Sequence, residues 1–233
     1  MNTVANLLHA LVDFVLPQDC ILCDQETPHS LLCDTCFEYL PIVRPPICCR
    51  CGRPIELNGV CAYCHDHCLL DHGRAWLCFV PPVNTLIHHF KYRKKTILAT
   101  LLGRAMASII LADGVLQQAD MIVPIPLFWF KRFNRGYNQS SLLCNVISAN
   151  TGLPQHPALK RNRYTQTQTK LSETARQRNI KGAFSIISDR IEDKRIILVD
   201  DVMTTGATMN ECARVLKQAG AAAIYSCVAA ITP

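Results

Sequence analysis

The stretch "RIILVDDVMTTGATMNECARVLKQAG", Arg195 to Gly220, decides the fold. Ile196 to Val199 is a short, β-branched-rich apolar run and reads as a buried strand. Met209, Cys212, Ala213 and Leu216 mark one face of a helix, which Gly220 closes. Ala221 to Ile231 then supplies a second apolar strand. Strand, loop, helix and strand in this order predict an α/β fold, a parallel sheet with flanking helices.

The junction between strand and helix carries the chemistry. Asp200 and Asp201 end the strand, and Thr204, Thr205, Gly206, Ala207 and Thr208 form a small, hydroxyl-rich turn before the helix. Open α/β sheets bind ligands at this end. Backbone N–H groups at a turn and helix start, with hydroxyls beside them, make a phosphate cradle, and Gly206 lets the backbone come close. Two carboxylates just ahead can accept hydrogen bonds from ribose hydroxyls and help place Mg²⁺. The combination describes a ribose 5-phosphate carrying a metal-bound diphosphate. The acidic strand of a P-loop NTPase is a competing reading, but no G-x-x-x-x-G-K-[ST] occurs in the chain. A helix start capped by threonines is the plainer one, and it leaves the paired aspartates unexplained.

Charge is segregated along the chain. Residues 1–80 hold 4 Lys and Arg against 9 Asp and Glu, residues 81–195 hold 18 against 6, and residues 196–233 hold 2 against 3. So basic a middle implies polyanionic company, either metabolite phosphates or a nucleic-acid backbone. Within it, Met121 to Ile125 reads as a strand running into a loop with Lys131, Arg132 and Arg135, and a helix opens near Asn138. Leu159 to Asn179 is polar and basic, without the apolar content to pack. "HHFKYRKK", His88 to Lys95, interleaves aromatics with cations ahead of an apolar helix, Ile97 to Leu111. Bases of single-stranded DNA can stack on Phe90 and Tyr92 while the cations Lys91, Arg93, Lys94 and Lys95 follow phosphates; equally, Phe90 can be core and the lysines a solvated helix start.

The amino-terminal third is organised by sulfur. "CILCDQETPHSLLCDTC" and "CCRCGRPIELNGVCAYC" each contain C-x2-C-x9-C-x2-C, offset by 28 residues. Cys20, Cys23, Cys33 and Cys36 thus map onto Cys48, Cys51, Cys61 and Cys64. Paired knuckles of this kind supply four thiolates to a tetrahedral Zn²⁺, so two structural zinc ions are expected. Sequential ribbons are favoured over interleaved pairing because each copy is self-sufficient. Cys49, His65, His67, Cys68 and His72 are spare donors, read as solvated loop residues. A segment this poor in large apolar side chains needs such a staple to fold.

Residues 1–16 form an apolar stripe of Val4, Leu7, Leu8, Leu11, Val12 and Val15, expected as a docking helix. They have neither a cationic start nor a small-residue cleavage site. No apolar run approaches the roughly 18 residues a membrane helix needs. A cytoplasmic protein without a membrane span is expected, organised as a helix over 1–16, a double zinc ribbon over 17–78 and a sheet domain over 79–233.

"ILVDDVMTTGAT", Ile197 to Thr208, resembles the phosphoribosyl pyrophosphate signature of type I phosphoribosyltransferases. Together with "VPIPLFWFKRFNRGYNQ", Val123 to Gln139, and the cysteine ribbons, it is similar to the ComF/GntX family over nearly the whole chain. The resemblance implies a type I phosphoribosyltransferase fold with Asp200 and Asp201 as catalytic residues. It places the ligand on the loop Thr204 to Thr208, and gives Arg132 and Arg135, assisted by Asn138 and Gln139, the grip on pyrophosphate. It also implies a mobile lid in which Arg161, Thr165, Gln168, Leu171, Arg176 and Asn179 fit the family pattern, and a role in natural competence and DNA utilisation. Partners implied are phosphoribosyl pyrophosphate, single-stranded DNA, and competence or DNA-processing proteins met through the ribbons. The alternative is a catalytically silent single-stranded DNA-binding and recruiting module on the same fold.

Overall fold

The computed structural model describes residues 18–27, 30–57, 59–92, 96–128, 136–163 and 180–233. The helix expected over residues 1–16 lies outside them, as do Arg93, Lys94 and Lys95. In chain order the elements are β1 (Gln18–Asp19), β2 (Glu26–Thr27), α1 (Asp34–Glu38), α2 (Ala62–His67), β3 (His72–Cys78), α3 (Val83–Tyr92), α4 (Leu98–Ala112) and β4 (Met121–Pro124). They continue with α5 (Gln139–Thr151), β5 (Leu159–Arg161), β6 (Phe184–Ile186), β7 (Arg195–Met203), α6 (Ala207–Gln218) and β8 (Ala223–Ile231). Among the described residues no helix is long and apolar enough to cross a membrane.

The apolar run at Ile196–Val199 is the middle of the sheet. Strands β3, β8, β7 and β4 lie in that order, and every neighbouring pair is parallel. Successive side chains of β7 point to opposite faces. Ile197 and Val199 enter a core shared with Leu102, Met106 and Ile110 of α4 and Leu143 and Ile147 of α5. Ile196 and Leu198 enter the other core, shared with Met209, Cys212, Ala213 and Leu216 of α6. Both faces are covered, which is why the strand is apolar without alternation.

β7 runs further than its apolar residues suggest. The ladder continues past the aspartates, with Asp200 opposite Val228, Val202 opposite Ala230 and Met203 opposite Ile231. The long apolar strand β8 supplies backbone partners over its whole length, so Asp200 and Asp201 sit within the strand and the turn shrinks to residues 204–206. Ala207 and Thr208 already belong to α6.

The ribbons straddle the edge strand β3. Cys20, Cys33, Leu32 and Leu40 pack into the core of α4 and α5, whereas Cys48, Cys51 and Cys64 pack into the core of α6. Between them, residues 41–43 pair antiparallel with β3: Val43 N–H donates to Trp76 O and Cys78 N–H to Pro41 O, both at 2.8 Å. At the other edge, Ile122 N–H donates to Pro154 O and His156 N–H to Ile122 O. Short extensions thus cover both sheet edges. Strand β3 lies inside the span 17–78 expected for the ribbons, yet its backbone partner is β8. His72, read from sequence as a solvated loop residue, is instead buried on β3, because both Asp113 oxygens lie 3.0 Å from its Nε2 and Arg74 shares the same carboxylate.

Contact between the second ribbon and β3 needs a residue without a side chain. A Cβ on Gly73 would stand 2.5 Å from Ser226 Oγ, 2.7 Å from Arg50 O and 3.0 Å from Cys51 Cα. Two of these are backbone atoms that cannot swing away. Gly73→Ala is therefore expected to lower the free energy of unfolding by about 1–3 kcal/mol through overpacking, measured by urea denaturation at fixed zinc; an unchanged midpoint would show that the ribbon does not press on this strand.

Candidate functional site

Asp201 is 5% exposed and accepts an ion pair from Lys91 of α3, Nζ to Oδ1 at 2.9 Å. Asp200 Oδ1 accepts hydrogen bonds from Ser140 Oγ at 2.8 Å and from Asp201 N–H at 2.9 Å. Ser140 is placed by Asn138, which caps α5 by accepting from Ser140 N–H and donates its own amide to Ile125 O at 3.0 Å. One asparagine thus clamps the start of α5 to the end of β4, beside the aspartates. Burial, then repulsion from Asp201, pushes the Asp200 carboxyl up to about 7, against the opposing pull of Lys91 and Ser140. Burial also lowers the Arg161 guanidinium, with Cys212 and Asp200 acting the other way, and Arg161 lies over the Phe184 ring at 5.3 Å.

Asp200, Val202, Met203 and residues Thr204 to Met209 line one cavity. Gly206 adopts φ +74°, the left-handed conformation that favours glycine, and is the N-cap of α6. The first N–H groups of a helix have no intrahelical acceptor, so the start of α6 presents donors and the positive end of its dipole to this cavity. Asp200, Thr204, Thr205, Gly206, Ala207 and Thr208 are therefore brought together, whereas Asp201, the next residue of the strand, does not line this cavity and is held by Lys91. Arg132 and Arg135 lie outside the described residues, as do Thr165, Gln168, Leu171, Arg176 and Asn179. What is described is the base of each segment. Ile125 and Asn138 are bonded across the first, and β5 pairs antiparallel with β6 across the second, with Asn162 N–H donating to Ala183 O at 2.8 Å.

The eight cysteines gather by quartet in sequence order. The sulfurs of Cys20, Cys23, Cys33 and Cys36 lie within 4.8 Å of one another, and so do those of Cys48, Cys51, Cys61 and Cys64. A tetrahedron of Zn–S bonds of about 2.3 Å has edges of about 3.8 Å. Cys23 and Cys33 sulfurs are 3.6 Å apart and those of Cys51 and Cys61 3.8 Å, so both donor sets fit zinc. Knuckle N–H groups support them, Cys36 donating to Cys33 Sγ and Cys61 to Cys48 Sγ. Four protein ligands close each shell, which makes the metal structural. Of the spare donors, Cys49 is exposed, while Cys68 is half-buried and within thiol hydrogen-bond contact of Cys64.

Three participants escaped the sequence reading. Lys91 stood in "HHFKYRKK" as a cation for nucleic acid, and its contact with Asp201 had no local signal because 110 residues separate them. Ser140 follows directly on the motif ending at Gln139, and the spacing gives no hint of Asp200. Arg53 belongs to the second ribbon and donates to Thr204 O at 2.7 Å. Phe90 is fully buried, whereas Tyr92 is 60% exposed with His88 against its ring at 4.9 Å.

Comparison with known proteins places this architecture. The double zinc ribbon domain matches residues 11–65 and the phosphoribosyl transferase domain residues 88–232. Competence protein F of Haemophilus influenzae is 30% identical over 81% of this chain and 91% of its own length. The DNA utilization protein YhgH of Escherichia coli K12 is 32% identical over 77% of this chain and 94% of its own. Competence protein ComFC of Bacillus subtilis is 27% identical over 89% and 92%.

A carboxyl raised in the folded state destabilises as it ionises: an unfolded Asp loses its proton near pH 4, the folded Asp200 only near 7, so stability falls as pH rises between the two. Asp200→Asn removes that titration. Its stability relative to wild type is expected to grow by on the order of 2 kcal/mol from pH 5 to pH 8, read from urea midpoints, and a pH-independent difference would show that Asp200 titrates normally.

Proposed function

The chain belongs to the ComF/GntX family, a phosphoribosyl transferase domain behind a double zinc ribbon, and from that premise we propose that it binds Mg²⁺-phosphoribosyl pyrophosphate in the cavity after Asp201 and acts as a phosphoribosyltransferase in DNA uptake or utilisation. The observation that carries this proposal is a cavity at the carboxyl end of a parallel strand that joins the Asp200 carboxylate to a glycine-hinged threonine turn and a helix start, with Asp201 the next residue along the strand. The turn and the first N–H groups of α6 hold the 5-phosphate, and the hydroxyls of Thr204, Thr205 and Thr208 add donors. Asp200 and Asp201 accept from the ribose hydroxyls and help hold Mg²⁺, which neutralises the diphosphate. Lys91 leaves or shares Asp201 when the sugar arrives. Arg132 and Arg135 fall in sequence between Ile125 and Asn138, whose hydrogen bond anchors both ends of their segment beside Asp200, and they take the leaving diphosphate. Positive charge developing on the ribose ring is stabilised by the two carboxylates, so catalysis is positional and electrostatic. The lid that the family resemblance assigns to Leu159 to Asn179 begins among the described residues as β5, paired with β6; its residues 164–179 lie outside them.

A second role, binding of single-stranded DNA by a protein that need not turn over, is supported by the exposed Tyr92 ring, which lies at a tilt against His88 on the helix that carries Lys91. The ribbons then recruit DNA-processing partners. Because Lys91 also pairs with Asp201, occupancy of either site would be felt at the other.

Calorimetry with phosphoribosyl pyrophosphate and Mg²⁺, repeated with a single-stranded oligonucleotide present, tests both roles. The double variant Asp200→Asn, Asp201→Asn is expected to bind about 100-fold more weakly, at about 1.5 kcal/mol per lost charged acceptor. Unchanged affinity removes the aspartates from the site. Oligonucleotide affinity that does not fall with salt removes the DNA role.

A further inference from the structure

The second ribbon reaches the phosphate turn directly. Arg53, two residues beyond the ligand Cys51, donates from Nη2 to Thr204 O at 2.7 Å and from Nη1 to Thr232 O and to Pro233 O, the latter at 3.0 Å. Its planar fork thereby ties the turn after β7 to the chain leaving β8. Tyr63, one residue before the ligand Cys64, sets its ring edge 3.5 Å from where a Cβ of Gly206 would stand. Further along the same ribbon, Leu69 N–H donates to Asn210 Oδ1, in the first turn of α6, at 2.6 Å. Cys51, Arg53, Tyr63 and Cys68 also line a small cleft whose other wall is Thr205, Gly206 and Asn210. Cys20, Cys33 and the rest of the first ribbon's core pack on the opposite face of the sheet.

We infer that Arg53 is a positioning residue for the phosphate turn, and that the second zinc site and the sugar-phosphate ligand bind cooperatively through it, while the first zinc site does not take part. The inference rests on the ligand proposed above. A turn of three residues that must place several N–H groups around a phosphate loses affinity if it is free to open; one hydrogen bond from Arg53 holds it at Thr204 O, and two more anchor the same guanidinium to the chain leaving β8. The knuckle that fixes Arg53 is itself ordered by the metal. Linkage then requires that ligand tighten zinc at Cys48, Cys51, Cys61 and Cys64 by the same factor by which zinc there tightens ligand.

The full-length, zinc-loaded protein is titrated with Mg²⁺-phosphoribosyl pyrophosphate by calorimetry, and each zinc affinity is measured by chelator competition with and without saturating ligand. Arg53→Ala is expected to weaken ligand binding about tenfold, within the usual range of coupling. Arg53→Lys, a point charge that reaches one carbonyl at a time, is expected to recover part of that loss. Arg44→Ala, an exposed cation between the ribbons, is expected to bind as wild type does. In the wild type, ligand is expected to tighten one of the two zinc sites and leave the other unchanged. If wild type fails to bind the ligand at all, the proposed function falls and this inference with it. If wild type binds but Arg53→Lys matches it with both zinc ions retained, or neither zinc site responds to ligand, the inference alone is overturned. Should the Arg53 variants not fold, zinc competition on the wild type decides the matter by itself.

Discussion

Two adjacent carboxylates within a strand covered on both faces are the constraint to which the surrounding structure answers. Neither can stay ionised there without compensation. Asp201 is compensated by an ion pair from α3, and Asp200 by one hydroxyl and one backbone N–H, which leaves its proton affinity raised. That compensation fixes where helices begin and end: α3 must bring Lys91 to the strand in its last turn, and α5 must start at Ser140. Both are costs borne for the site. A hydrophobic pair at these positions would pack between the two cores with no need of either helix terminus.

The architecture was largely legible because its signals are local. A buried strand, a helical stripe and a second strand lie within 37 residues, and β7, α6 and β8 follow that reading closely. The cysteine quartets were legible for a similar reason, since knuckle spacing is a property of a few bonds. What could not be read was the reach of β7. Its last residues, Asp200 to Met203, are polar or mixed, and only the register against β8 extends the ladder through them. His72 misled for the converse reason: a histidine among cysteines suggests a ligand or a loop, and nothing near it in sequence announces Asp113, 41 residues away.

The candidate site divides along the same line. Residues on the strand, turn and helix start are contiguous, so one motif gathers them. Their supports are not. Lys91, Ser140 and Arg53 come from three separate elements, and a resemblance to a known motif identifies what meets the ligand far better than what holds the motif in shape. Arg53 is the extreme case, 151 positions away in sequence from the carbonyl it holds.

A metal-stapled appendage need not be separate from the domain it precedes. The sheet has an edge at β3 with backbone groups that must be covered, and the ribbons approach it from both sides, linked by residues 41–43 that pair with it. The close approach at Gly73 commits the second ribbon to one position. Once it is there, its knuckle stands next to the turn between β7 and α6, because β8 lies between β3 and β7 and the sheet is only a few strands wide. Covering an edge and bracing a ligand turn are then consequences of the same placement. A ribbon docked elsewhere could still recruit partners, but it would have no purchase on Thr204, and the turn would rely on Gly206 and the start of α6 alone.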